Sequence, residues 1–291
     1  MVKKVLKSPF SVIHYPFSLD FEKGDNPMTT IVGMCCKDGL VIGSDSKATR
    51  GPSAREEYLK IWDLESGCFP AVITGAGRTA FFAKYRDMLQ DVCRDRRSRQ
   101  PLHNISDFIR VAEETMQDLS RIYGTERLAR LGLFRPTGDE EGRNVPSFAD
   151  LFPHFTAVVG VYAQRPHLFF VAPDGIAEEQ QGYGSQGSGG PYAEYLLPKM
   201  YYEGITTEEA ALYVVHVIEQ VKHVDTHSGG PTQLAIVTKD RTKHWSQAEV
   251  EGAVTSASKI DLKAAALWRK AARGVARQNH DNARKKKVLD K

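Results

Sequence analysis

The order of strand and helix signals restricts the fold of this chain more than any single motif does. Four β-rich apolar runs joined by tight turns come first, at residues 30–36, 40–45, 58–64 and 69–74. Apolar residues at helical spacing then predict a first pair of helices at 79–94 and 107–123 and a second pair at 192–202 and 208–224. Further strands are predicted at 155–163 and 168–172, between the two pairs, and at 233–239, after the second pair. Strands joined by tight turns pair antiparallel, and helices grouped apart from them cannot form a doubly wound parallel sheet. The sequence therefore predicts an α+β fold, a four-layer αββα sandwich with two antiparallel sheets between helix layers.

Composition and charge divide the chain into three parts. The chain has 291 residues, of which 41% are hydrophobic, enough for a sizeable core. We predict a removable or accessory leader at 1–28, a folded domain at 29–245 with a Gly-, Pro- and charge-rich surface insertion at 124–153, and a basic helical tail at 246–291. Residues 258–291 contain eleven Lys or Arg and three Asp or Glu, a net +8, so the other 257 residues sum to −5 within the total of +3. Such a tail is typical of a solvated helix or of a contact for an acidic partner, and nucleic acid is the less expected partner.

Cysteine usage and hydropathy predict a cytoplasmic protein. The four cysteines form no C-x-x-C pair. No apolar run approaches the roughly 18 residues that span a bilayer, and prolines interrupt the N-terminal segment where a secretory signal would need a continuous apolar stretch. The nine histidines lack metal-ligand spacing, so we expect neither a metal nor another cofactor.

A pair of threonines at the start of the first strand contains the candidate nucleophile. The run reads MTTIVG at residues 28–33. If the chain is cut or started after Met28, Thr29 becomes an N-terminal residue that carries a hydroxyl nucleophile and a free amine base together. The same letters are also typical of an ordinary edge strand, so the run by itself does not establish catalysis.

Further motifs, in order over residues 29 to about 240, resemble those of a proteasome β-type subunit and are also similar to those of the HslV-type peptidase. They are TTIVG at 29–33, KDGLVIGSDSKAT at 37–49, KIW at 60–62, TGAG at 74–77, GSGGPYA at 187–193 and DTHSGG at 225–230. The run at 187–193 is especially HslV-like, whereas the run at 225–230 resembles the proteasomal D-x-x-S-G loop. The resemblance implies an N-terminal-nucleophile hydrolase that cleaves peptide bonds through an acyl-enzyme.

The resemblance also implies a catalytic set: Thr29, Asp45, Lys60, Ser188, Asp225 and Ser228. The α-amine of the nucleophile has an ordinary pKa of about 7.7–8.0, which suits a base near neutral pH. A buried Lys60 cation would ease loss of the hydroxyl proton, with Asp45 as its counter-charge. The two serines and Asp225 would hold the amine and its water. The alternative interpretation of Asp45 and Lys60 is an ordinary surface ion pair.

By the same resemblance, the backbone N–H of Gly77 would face the developing oxyanion, and Thr49 would pair with the substrate backbone. The primary substrate pocket would be lined by Ala48, Tyr58, Gly75 and Thr79. The implied partners are polypeptide substrates, copies of this chain in stacked closed rings of six or seven subunits, and an α-type gating ring or an ATP-dependent unfoldase.

The residue before the nucleophile departs from the family pattern. Members that mature by self-cleavage usually carry glycine there, whereas this chain carries Met28, whose bulk disfavours attack on the preceding carbonyl. Self-cleavage, trimming by another enzyme and an internal start at Met28 all remain open as routes to a free Thr29. Two other functions also remain open: a non-catalytic structural ring subunit, and an amidase or ligase of the same nucleophile class with a non-proteolytic substrate.

One motif points to a different chemistry. Residues 182–187 spell G-x-G-x-x-G, the pattern of a dinucleotide-binding loop. That loop should directly follow an apolar strand, but residues 176–181 read IAEEQQ. We therefore favour a structural role for these glycines.

Overall fold

The computed structural model describes residues 29–50, 54–65, 69–99, 102–126 and 154–289. Within these ranges the strands are β1 Ile31–Cys35, β2 Gly39–Asp45, β3 Lys47–Arg50, β4 Ala54–Glu57, β5 Trp62–Asp63, β6 Ala71–Gly77, β7 Phe155–Ala163, β8 Arg165–Val171, β9 Ala177–Glu179, β10 Tyr183–Gln186, β11 Thr232–Thr238 and β12 Thr242–His244. The helices are α1 Thr79–Arg99, α2 Ile105–Ser120, α3 Gly190–Leu196, α4 Thr207–Lys222 and α5 Gln247–Leu289. A π-helical turn at Arg121–Glu126 follows α2, and a 3₁₀ turn at Leu197–Lys199 follows α3. The predicted leader and residues 127–153 of the predicted insertion lie outside the described residues.

The strands form two five-stranded antiparallel sheets and a separate hairpin. Sheet I has the order β10-β1-β2-β11-β12, sheet II has the order β5-β6-β7-β8-β9, and β3 pairs with β4 alone. In sheet I, β2 lies between β1 and β11, with Ile31 opposite Ser44 and Thr232 opposite Asp45. This register places the start of β1 beside the end of β2, which brings Thr29 and Asp45 into contact.

Three apolar cores hold the layers together and confirm the predicted αββα sandwich. The core between the sheets includes Ile31, Ile42 and Leu168. Helices α1 and α2 cover the outer face of sheet II. Helices α3 and α4 and the beginning of α5 cover the outer face of sheet I. The order of layers is therefore helix, sheet, sheet, helix.

Several element boundaries differ from those the sequence predicts. The expected strand at 58–64 is reduced to β5, and the hairpin of β3 and β4 was missed. Helix α2 begins at Ile105 because the Asn104 side chain caps it, accepting a hydrogen bond from the backbone N–H of Asp107 at 2.9 Å. The helix expected at 192–202 ends early, where Pro198 lies in the 3₁₀ turn and can donate no backbone hydrogen bond. Helix α4 begins with a capping box, in which Thr206 and Glu209 bond each other's backbone N–H groups.

The run G-x-G-x-x-G is not a phosphate loop. Residues Tyr183–Gln186 form β10, which pairs antiparallel with β1 along the edge of sheet I. A dinucleotide fingerprint requires a strand, a turn and a helix in a parallel unit, so the dinucleotide reading is excluded. None of the helices in the described ranges is both long and apolar enough to cross a bilayer.

Candidate active site

Thr29 lies two residues before the start of β1 and is buried. Its carbonyl oxygen accepts a hydrogen bond from the backbone N–H of Gly189 and another from the hydroxyl of Ser188, both at 3.3 Å. Gly187 approaches the same carbonyl so closely that a Cβ there would lie 2.2 Å from the oxygen, and its φ of +93° also favours glycine. The glycine-rich turn after β10 therefore fixes the position of Thr29.

Asp45 ends β2 and is completely buried, yet its carboxylate is fully hydrogen-bonded. Oδ1 accepts hydrogen bonds at 2.6–2.9 Å from the Thr29 hydroxyl, the Thr30 N–H and the Lys60 ammonium. Oδ2 accepts a fourth from the backbone N–H of Gly229 at 2.9 Å. Four donors on two oxygens leave neither buried oxygen without a hydrogen bond.

Lys60 is buried and donates to two acceptors at the centre of the site. Its Nζ lies 2.8 Å from Asp45 Oδ1 and also donates to Thr29 Oγ1. The expectation of an ordinary surface ion pair is therefore wrong, because both side chains are almost completely enclosed. Burial lowers the pKa of Lys60, the negative charge of Asp45 opposes that shift, and the nearby cations Lys222 and Lys47 add to it.

The segment that carries Lys60 is held by a side chain from sheet I. Gln233, on β11, accepts a hydrogen bond from the Lys60 backbone N–H at 2.8 Å and donates one to the Tyr58 carbonyl at 2.7 Å. This clamp substitutes for strand pairing over residues 58–60. It explains why the predicted strand is absent at that place.

A second hydrogen-bond network surrounds Asp225, at the loop after α4. Its Oδ2 accepts hydrogen bonds from the hydroxyls of Ser188 at 2.7 Å and Ser228 at 2.6 Å, and Oδ1 accepts one from the His227 N–H at 3.0 Å. Burial raises the pKa of Asp225, but these hydrogen bonds outweigh it and hold the pKa below its usual value. The hydroxyl of Thr30 bonds that of Ser228 and so links this network to Asp45. All six predicted catalytic residues thus belong to one connected cluster.

The predicted substrate-binding residues lie on three elements and one connecting segment. Ala48 and Thr49 are on β3, Tyr58 follows β4, and Gly75 and Gly77 are on β6, while Thr79 begins α1. Gly75 leaves room for Phe82, which a Cβ at this position would approach to 2.3 Å, and Gly77 has a φ of +118°. Among the described contacts no hydrogen bond joins these residues to Thr29, so their roles stay predictions.

A family model described as "Proteasome subunit" matches residues 27–125 and 152–237. The chain belongs to the proteasome subunit family. A proteasome β subunit from Methanococcus maripaludis is 24% identical over 227 residues, which cover 77% of this chain and 90% of that protein. A proteasome β1 subunit from Thermococcus kodakarensis is 26% identical over 227 residues, which cover 77% of this chain and 95% of that protein. These matches confirm the resemblance to proteasome β-type subunits, while the resemblance to HslV-type peptidases stays a prediction.

The proteasome-family fold is also found by comparison with solved structures. Anbu from Yersinia bercovieri, described as an ancestral β subunit, has a TM-score of 0.63 and 15% identity, over 82% of this chain and 97% of that one. A Gly-1 mutant of Anbu from Hyphomicrobium sp. strain MC1 has a TM-score of 0.59 and 17% identity, over 81% of this chain and 96% of that one. At these identities the likeness establishes the fold alone.

Three residues of the cluster were missed by sequence reasoning. Thr30 contributes its backbone N–H to Asp45 and its hydroxyl to Ser228, Gly229 contributes a backbone N–H, and Gln233 holds the segment of Lys60. Backbone donors leave no side-chain signal in a sequence. The side chains of Thr30 and Gln233 are the features that the letters could have revealed.

Proposed function

We propose that this chain is the threonine-protease subunit of a proteasome-like assembly, hydrolysing peptide bonds through an acyl-enzyme on Thr29. The observation that carries the proposal is the buried contact of the Thr29 hydroxyl with both Lys60 and Asp45. A scaffold subunit has no use for a buried cation against a threonine hydroxyl. Apolar residues of similar volume often stabilise a fold as well as a buried ion pair does, or better, so the burial of this pair calls for a function.

In the proposed reaction, the free α-amine of Thr29 accepts the proton of its own hydroxyl, and Oγ1 attacks the carbonyl carbon of the scissile peptide. The Lys60 cation stabilises the developing negative charge on Oγ1. The oxyanion would be met by backbone N–H groups at the end of β6, Gly77 among them. Collapse of the tetrahedral intermediate breaks the C–N bond, and the leaving amine takes the proton from the α-ammonium group.

An ester on Thr29 then remains and is hydrolysed by water. The α-amine accepts a proton from this water, the hydroxide attacks the ester carbonyl, and Oγ1 leaves with the proton restored. Asp225 and the hydroxyls of Ser188 and Ser228 lie on the backbone side of Thr29, where they would orient the amine and the water. The substrate strand would pair with β3 near Thr49.

We also propose the assembly and location that the family membership suggests. The chain would form closed rings stacked face to face in the cytoplasm, with polypeptides admitted by an α-type gating ring or an ATP-dependent unfoldase. Negative-stain electron microscopy of the purified protein tests the rings, and co-purification tests the partner.

The test of catalysis is intact-mass analysis with a threonine-directed electrophile such as an epoxyketone. We expect a chain that begins at Thr29 and gains one adduct, and no adduct in the Thr29→Ala variant, which should still assemble. A chain that begins at Met1, ignores the probe and hydrolyses no peptide contradicts the proposal. That result would favour the non-catalytic ring subunit, for which Met28 in place of glycine is the supporting observation. Probe reaction without peptide hydrolysis would instead indicate an amidase or ligase.

A further inference from the structure

Helix α5 extends beyond the body of the protein. Its first part packs against α4, where Val250, Ala253 and Ala257 are buried and Gln220 donates a hydrogen bond to Asp261 at 3.1 Å. From residue 262 to 275 every side chain except that of Ala265 is exposed. Residues 262–289, which we call the arm, would extend about 42 Å at the usual helical rise.

The apolar stripe that anchors α5 continues into the arm. Val250, Ala253 and Ala257 are followed at alternating spacings of three and four by Ile260, Ala264, Leu267 and Ala271. This heptad spacing keeps all of them on one face of the helix, and Trp268 lies at its edge. We call Ala264, Leu267, Trp268 and Ala271 of the arm, together with Ile260 just before it, the arm seam. Its large members are exposed: 55% for Ile260, 68% for Leu267 and 77% for Trp268.

A helix of this kind needs a partner. Most helical stability in proteins comes from packing of an apolar face, and the seam has no such packing within the described part of the chain. Trp and Arg, here Trp268 followed by Arg269, are also residue types that are enriched at interface hot spots. The seam is thus an interaction surface.

Charge favours a second copy of this chain as the partner. Residues 262–275 contain four basic residues and no acidic one. Residues 29–257 contain 24 Lys or Arg and 30 Asp or Glu, a net −6, so the body of another copy complements the arm. Helices that bind lipid surfaces present large apolar residues, whereas two of the five seam residues are alanine, which suits close packing between helices. Binding to nucleic acid through the basic face would leave the seam uncovered.

We propose that the arm seam docks on the body of a second copy and so joins neighbouring subunits of the assembly. The inference rests on the assembly part of the proposed function and is independent of catalysis by Thr29. It predicts that the contact depends on one face of α5 only.

The chain offers a matched pair of variants for the test. Leu267 is 68% exposed on the seam, and Leu262 is 69% exposed on the opposite face of the same helix. Leu267→Glu and Leu262→Glu make the same change in charge and helix propensity. In analytical ultracentrifugation of the full chain, Leu267→Glu should raise the concentration of half-dissociation at least about tenfold, and Leu262→Glu should leave it unchanged. Equal behaviour of the two variants overturns the proposal.

Photo-crosslinking identifies the occupant directly. A benzoylphenylalanine in place of Trp268, in a mixture of ¹⁴N- and ¹⁵N-labelled full-length protein, should give mixed-isotope crosslinks to peptides from residues 29–257. The proposal is overturned if crosslinks form within one copy only. It is also overturned if only anionic phosphatidylglycerol vesicles or duplex DNA protect the arm. Epoxyketone labelling of the same samples separates the arm contact from catalysis. If Leu267→Glu still forms intact rings, only the arm contact is refuted. If the wild type is not labelled, only catalysis is refuted.

Discussion

Replacing Lys60 by methionine measures what the buried cation contributes. Methionine keeps the length of the side chain but removes the charge that lies 2.8 Å from Asp45. Removing one partner of a buried pair costs about 3–5 kcal/mol of unfolding free energy. Asp45 keeps hydrogen bonds from the Thr29 hydroxyl and from the N–H groups of Thr30 and Gly229. We therefore expect the low end of that range, about 3 kcal/mol.

A double-mutant cycle separates the pair from the rest of the cluster. Asp45→Asn, Lys60→Met and the double variant are compared by urea unfolding at one protein concentration, because assembly also stabilises the fold. The double variant should be more stable than the sum of the single effects predicts, by about 1–3 kcal/mol. On a fluorogenic peptide, Lys60→Met should lower kcat/KM at least about 100-fold. Additive single effects, or a cost of less than about 1 kcal/mol for Lys60→Met, would refute the coupled pair.

Three further predictions follow from the cluster. The kcat/KM should rise with pH as the α-amine loses its proton, near its ordinary pKa of about 7.7–8.0. It should fall again when Lys60 is neutralised, at a lower pH than for a solvated lysine, because burial lowers the pKa of Lys60. A kcat/KM that stays flat up to pH 10.5, the ordinary lysine pKa, contradicts this prediction. Gly187→Ala should lower the free energy of unfolding in urea by at least about 2 kcal/mol and slow the epoxyketone reaction, because its Cβ would meet the Thr29 carbonyl. The control Gly252→Ala, in open space on α5, should raise the free energy of unfolding by up to about 1 kcal/mol. Thr30→Val keeps the backbone N–H but loses the hydroxyl bond between the two networks, so it should slow the epoxyketone reaction about tenfold. Thr30→Ser keeps the hydroxyl and should react at the wild-type rate.

The fold was predictable because its signals are local. Turns at residues 37–39 and 173–175 follow one apolar run and precede the next, and the capping box at Thr206 and Glu209 marks the start of α4. The strand that is absent at 58–60 depends on a distant partner, whereas the missed hairpin of β3 and β4 pairs locally. The segment 58–60 has the letters of a strand, but Gln233, some 170 residues away, holds it outside any sheet.

Sequence motifs pointed to the side chains of the candidate site, but not to their environment. Asp45 and Lys60 were identified by their position in motifs, but the letters do not distinguish a surface pair from one buried against the Thr29 hydroxyl. That difference arises from the register of β1 with β2 and from the backbone N–H of Gly229. Register and backbone donors are tertiary properties, so only the structure could settle the burial.

The cluster also bears on how activation works. Thr29, the proposed nucleophile, is already in contact with Lys60 and Asp45 in a chain that carries the Met28–Thr29 peptide bond. In that chain the nitrogen of Thr29 is an amide and cannot act as a base. We infer that opening the bond supplies the missing proton acceptor and leaves the hydrogen bonds of the hydroxyl as they are. Met28 would then affect how fast the base is released, because the geometry of attack is set by residues from β2, the Lys60 segment and the turn after β10.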